Sequence, residues 1–123
     1  MPWPAPAARS RAHDAGDAVA QGLGGERFHE GAVGARLLYP PGHARNAERT
    51  LVALRFALPH FGERYGRYPY PDLTVVHPPA YAAAAGGMEY PTLITTGGPW
   101  HQSYWSRAVE LVTIHELGHQ WFY

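Results

Sequence analysis

His115, Glu116 and His119 stand as H-E-x-x-H near the end of a 123-residue chain. On a helix, at ~100° and 1.5 Å per residue, the two histidines lie ~40° apart and ~6 Å along the axis. Both imidazoles can then converge on one ion. Glu116 is turned ~100° away from His115, beside the ion rather than on it. A carboxylate so placed can take a proton from an attacking water. Two imidazoles and one carboxylate at this spacing supply most of a centre for metal-assisted hydrolysis, with Zn²⁺ as the expected ion.

The pattern alone is weak. With 8 His and 7 Glu in 123 residues, a shuffled chain would show it about 3% of the time. Its surroundings add weight. From residue 111 to 123 the one formally charged side chain is Glu116, among Leu111, Val112, Ile114, Leu117, Trp121 and Phe122. A helix apolar nearly all round is expected to be buried. A buried carboxylate needs a partner, and no Lys or Arg follows Arg107. A nearby metal ion would satisfy it.

The elements that must position this group can be sketched from pattern. Residues 33–39 suit a strand ended by Pro40-Pro41-Gly42. Asn46 is a plausible N-cap for a helix over residues 47–65, with Leu51, Leu54, Leu58 and Phe61 as an ordinary core stripe. Pro59 should kink that helix or begin a second one. A turn at residues 65–71 precedes a strand from Leu73 to His77, where His77 reads as structural rather than as a ligand. Residues 81–85 form a small-residue linker into Gly86-Gly87-Met88-Glu89. A strand over residues 92–96 is expected at a sheet edge, because Pro91 cannot donate to a ladder, and Gly97-Gly98-Pro99 closes it. Ser103 or Ser106 is expected to cap the last helix. Residues 1–32, rich in Ala, Gly, Pro and Arg, read as a flexible lead. Gly22-Leu23-Gly24-Gly25 lacks the later glycine of a dinucleotide fingerprint.

The length allows one small domain or a piece of a larger one, and 46% hydrophobic residues suffice for a core. Zero formal net charge argues against nucleic acid or an acidic membrane surface as a partner. The absence of cysteine excludes disulfides and thiolate-held zinc. No apolar run reaches the ~18 residues of a membrane span. The N-terminus lacks a signal-peptide layout, so a cytoplasmic location is the default expectation.

Three segments in order, Tyr68-Pro69-Tyr70-Pro71, Gly86-Gly87-Met88-Glu89 and His115-Glu116-Leu117-Gly118-His119-Gln120-Trp121-Phe122, resemble the M1 family of zinc aminopeptidases over roughly residues 33–123. The resemblance implies an α+β fold, the N-terminal part of a thermolysin-like catalytic domain. There a mixed sheet lies over the zinc helix, and its edge strand pairs with the substrate backbone. It implies zinc on His115 and His119, Glu116 as general base, and a substrate-binding element of Gly86, Gly87, Met88 and Glu89. The two glycines would let a peptide approach the backbone. Glu89 would hold the α-ammonium of a peptide with a free N-terminus.

The family element usually continues Met-Glu-Asn, whereas Tyr90 and Pro91 follow here, which leaves exopeptidase and endopeptidase action both open. The resemblance also places a third zinc ligand, a Glu, about 18 residues past His119. On that basis the chain reads as a truncated peptidase, inactive by itself. The rival readings are a thermolysin-like endopeptidase and a non-catalytic fragment that binds zinc through two histidines.

Overall fold

The structure, a computed structural model, describes residues 24–97 and 103–122. The described residues form an α+β arrangement of one five-stranded mixed sheet and two α-helices. The strands are β1 (Gly24–Glu30), β2 (Val33–Tyr39), β3 (Asp72–Val76), β4 (Met88–Tyr90) and β5 (Leu93–Thr95), in the spatial order β1-β2-β3-β5-β4. Helix α1 (Ala44–Tyr65) crosses from β2 to its parallel neighbour β3, and helix α2 (Ala108–Gly118) carries the H-E-x-x-H residues.

Alternation decides which face of the sheet is buried. Ala35 and Leu37 of β2, Leu73 and Val75 of β3, and Ile94 of β5 point into one core with Leu51, Leu54 and Leu58 of α1 and Leu117 of α2. Leu37, Leu54, Leu73, Val75, Ile94 and Leu117 are fully buried. Each such side chain contributes roughly 1.5–3 kcal/mol relative to exposure. The expected stripe on α1 is therefore real core, and Phe61 packs at its margin.

Several elements differ from the sequence reading. Part of the presumed lead is β1, which pairs with all of β2 through a two-residue turn at Gly31 (φ +58°) and Ala32; residues 1–23 lie outside those described. Helix α1 starts three residues early, at Ala44. The Pro40–Gly42 turn, with Gly42 at φ +85°, delivers His43 as N-cap, and the His43 carbonyl accepts from Ala47 N. Asn46 is instead buried inside the first turn. Pro59 lies within a helix that runs on to Tyr65. Residues 80–85 wind into a 3-10 helix rather than an open linker.

The strand after Pro91 is not at the edge. β5 lies between β3 and β4, and β4 is the edge strand. Pro91 escapes the ladder because it sits in the β4–β5 turn, where Tyr90 pairs with Leu93. The N-cap of α2 is Arg107, in the left-handed region at φ 54°. Ser103 caps the preceding 3-10 turn through Trp105 N, while Ser106 Oγ accepts from Ala108 N at 3.4 Å. Gly98 and Pro99 lie outside the described residues.

Candidate metal centre

Helix α2 is held from both ends. At its first turn, Arg49 of α1 clamps Glu110 with two bonds, Nε to Oε1 at 2.8 Å and Nη2 to Oε2 at 2.7 Å. Arg49 also donates from Nη1 to the Ser103 carbonyl at 3.3 Å. The Arg49 hydrogen bonds hold the Glu110 carboxyl below its ordinary range, outweighing the effect of burial, with further help from the charges of Arg49 and Arg107. At the other end, Trp121 donates from Nε1 to the carbonyl of Gly66, the C-cap of α1, at 2.8 Å, and its ring packs on Phe61 and Tyr68.

The helix is not buried all round, as its apolar composition suggested. Val109, Thr113, Glu116 and Leu117 face inward, whereas His115 is exposed and Leu111 is 64% exposed. It also ends at Gly118, so His119 is the C-cap. The helical dihedrals of His119 (φ −63°, ψ −16°) continue the turn and keep its ring beside that of His115.

The two Nε2 atoms are 3.2 Å apart and the rings stand at 83°. Two nitrogens bound at ~2.0–2.1 Å to a tetrahedral ion lie ~3.3–3.4 Å apart, so the pair has the bite of a chelate. His119 Nδ1 donates to the Phe122 carbonyl at 2.8 Å. That bond assigns the proton to Nδ1 and leaves the Nε2 lone pair facing His115.

Glu116 is 6% exposed, and its Oε2 has no hydrogen-bond partner among the described residues. A buried carboxylate oxygen without a partner is unfavourable. Ligand atoms of His115, Glu116 and His119 all lie within 4.8 Å of one another. An ion held by the two imidazoles would set a counter-charge beside the Glu116 carboxylate, and imidazole donors suit zinc. The residues present therefore fit a metal ion.

The glycine element meets this group from the sheet side. A Cβ on Gly87 would lie 3.6 Å from Glu116 Oε1, and Gly87 sits at φ +64°. Gly87 N donates to the Thr95 carbonyl at 3.0 Å. Gly86 has a different reason from the expected approach of a peptide. A Cβ there would lie 2.8 Å from the Thr96 carbonyl and 3.2 Å from that of Ala83, so the chain's own backbone fills the space. Glu89 is half-buried and pairs with Ile94, whose side chain lies in the core under the helices. Strand alternation thus puts Glu89 on the helix face and Met88 on the opposite face.

Residues that pattern reading left without a role bind the centre to the sheet. Gln120 is 5% exposed. Its Oε1 accepts from Thr92 N at 2.9 Å and from Tyr68 Oη at 3.5 Å, and its Nε2 donates to the Tyr90 carbonyl at 2.8 Å. A signal was present, since Gln and Trp in an apolar run must find partners when buried. His77 lies elsewhere. It is fully buried, with Nδ1 3.1 Å from Thr96 Oγ1 and Nε2 2.9 Å from His43 Nδ1. Burial, and secondarily His43, push its pKa down to about 4.

Fold and site together define an α+β chain with a helix-borne His/Glu/His group able to hold a metal ion. Comparison with known protein families and with characterised proteins finds no match to this chain. Among the described residues, no helix is long and apolar enough to cross a membrane.

Proposed function

We propose that this chain is the metal-carrying part of a zinc metallopeptidase of the M1 aminopeptidase type, built on a thermolysin-like catalytic domain and acting on peptides with a free N-terminus. One observation carries the reading. An imidazole pair at chelate spacing stands next to a buried carboxylate, Glu116, whose Oε2 has no partner among the described residues and whose Oε1 lies against a glycine turn that leads into an edge strand. The H-E-x-x-H spacing joins only the first two of these; the turn, at Gly87, comes from a distant part of the chain.

In this reading His115 and His119 hold the ion through Nε2, with a third protein ligand from outside the described residues. Zinc, when bound, supplies Lewis-acid polarisation of a carbonyl and acidifies water. Glu116 takes a proton from the attacking water on its carboxylate and delivers it to the leaving amine. The free edge of β4 pairs with the peptide backbone. Glu89, on the helix face, receives the α-ammonium and so selects chain ends.

Two measurements test the proposal. Zinc-loaded protein should bind an unblocked tripeptide such as Leu-Gly-Gly and bind its N-acetylated form at least about tenfold more weakly. Equal binding of both would favour endopeptidase action on the same fold. In a form of the protein that turns over, Glu116→Gln should abolish hydrolysis with zinc retained. Loss of zinc together with activity would count against Glu116 as the base.

A further inference from the structure

We propose that Gln120 is a positioning residue that ties the β4–β5 edge hairpin to the metal pair, so that a divalent cation on His115 and His119 stiffens the strand offered to a peptide. The inference rests on the reading of His115 and His119 as ligands.

The hairpin needs a tether. It has three residues on each side, and its turn holds Thr92 at φ 63°. A β-branched residue in that region is strained and persists only when its surroundings hold it. Gln120 Oε1 takes the Thr92 N–H at 2.9 Å, and Gln120 Nε2 donates to the carbonyl of Tyr90, across the same turn, at 2.8 Å. The primary amide is suited to this because it offers a donor and an acceptor side by side. Glutamate would keep the bond from Thr92 N and set a carboxylate against the Tyr90 carbonyl. Methionine would offer neither bond strongly.

The other end of the tether is the metal pair. Gln120 directly follows His119, just past the end of α2. The turn it belongs to is closed by Gln120 N to the Leu117 carbonyl at 3.0 Å and Trp121 N to the Gly118 carbonyl at 3.1 Å. Helix ends fray at the lowest free energies in a fold. A cation bridging His115 and His119 locks that turn across one helical pitch, and Gln120 passes the constraint to the hairpin. Because coupling is reciprocal, a peptide that pins β4 should also tighten metal binding.

The test is hydrogen exchange at the backbone amides of the full chain, with and without zinc, beside zinc affinity from chelator competition. In the wild type, zinc should slow exchange at Thr92 and in β4 by about tenfold. In Gln120→Met, zinc affinity should stay within about threefold while the slowing disappears. Gln120→Glu, which keeps one of the two bonds, should show an intermediate slowing and carries the test if the Met variant fails to fold. Failure of the wild type to bind zinc would defeat the metal reading and this inference with it. Zinc binding without slowing in the wild type, or wild-type slowing in the variants, would overturn this inference alone. A merely structural glutamine would lower metal binding and protection together through lost stability, and that result also overturns it.

Discussion

The buried His43–His77 pair makes stability depend on pH in a way that can be worked out. His77 is fully buried, and its pKa is lowered from 6.5 to about 4 by burial and by His43. Its ring is therefore neutral in the folded protein near neutrality. In the unfolded chain it protonates near 6.5. Between about pH 6.5 and pH 4 the unfolded state binds more protons, so stability rises with pH there. The contribution is complete above 6.5, is lost as pH falls through that window, and levels off below about 4. A shift from 6.5 to about 4 corresponds to about 3 kcal/mol at 1.36 kcal/mol per pH unit. The comparison is with His77→Gln, which keeps a polar side chain at the site and cannot titrate. Urea unfolding of the metal-free protein between pH 7.5 and 4 should show the wild type losing about 3 kcal/mol more than the variant. Equal losses would refute the assignment of a neutral, buried His77.

Three more outcomes follow from local geometry. Gly86→Ala should destabilise by about 1–3 kcal/mol in thermal or urea unfolding, because its Cβ would lie 2.8 Å from the fixed Thr96 carbonyl. Gly87→Ala adds a Cβ at an ordinary 3.6 Å from Glu116 Oε1 but at φ +64°, and should cost about 1 kcal/mol with zinc affinity little changed. Glu110→Gln removes a carboxylate held by two bonds from the buried Arg49 and should cost about 3 kcal/mol near pH 7. Because the Glu110 pKa is lowered, that difference should shrink as pH falls below the ordinary carboxylate range, which matched unfolding curves at pH 7 and pH 3 would read.

Much of the site was legible because it is local. His115, Glu116 and His119 lie within five consecutive positions, so helical geometry alone brings them together. The core stripe Leu51, Leu54 and Leu58 was readable for the same reason, its period being that of the helix. The resemblance pointed to Gly86–Glu89, whereas its place against Glu116 depends on how β4 and β5 dock, which no local period encodes. The misreading of β5 as an edge strand shows the limit. Pro91 excludes a ladder position only for itself, and it sits in the turn. β1 was missed because Gly24-Gly25 and polar residues carry little strand propensity, and its pairing with β2 is supplied by the Gly31 turn. Gln120 went unassigned because its partners, Thr92 and Tyr90, lie about 30 residues away.

Titration of the metal-free chain with zinc bears directly on whether His115 and His119 form a zinc site with Glu116 beside it. One ion should bind per chain. Affinity should fall more than about a hundredfold in His115→Ala and in His119→Ala, and remain within about tenfold in Glu116→Gln. Zinc binding that survives both histidine replacements, or wild-type protein that binds none, would contradict a zinc site at this pair.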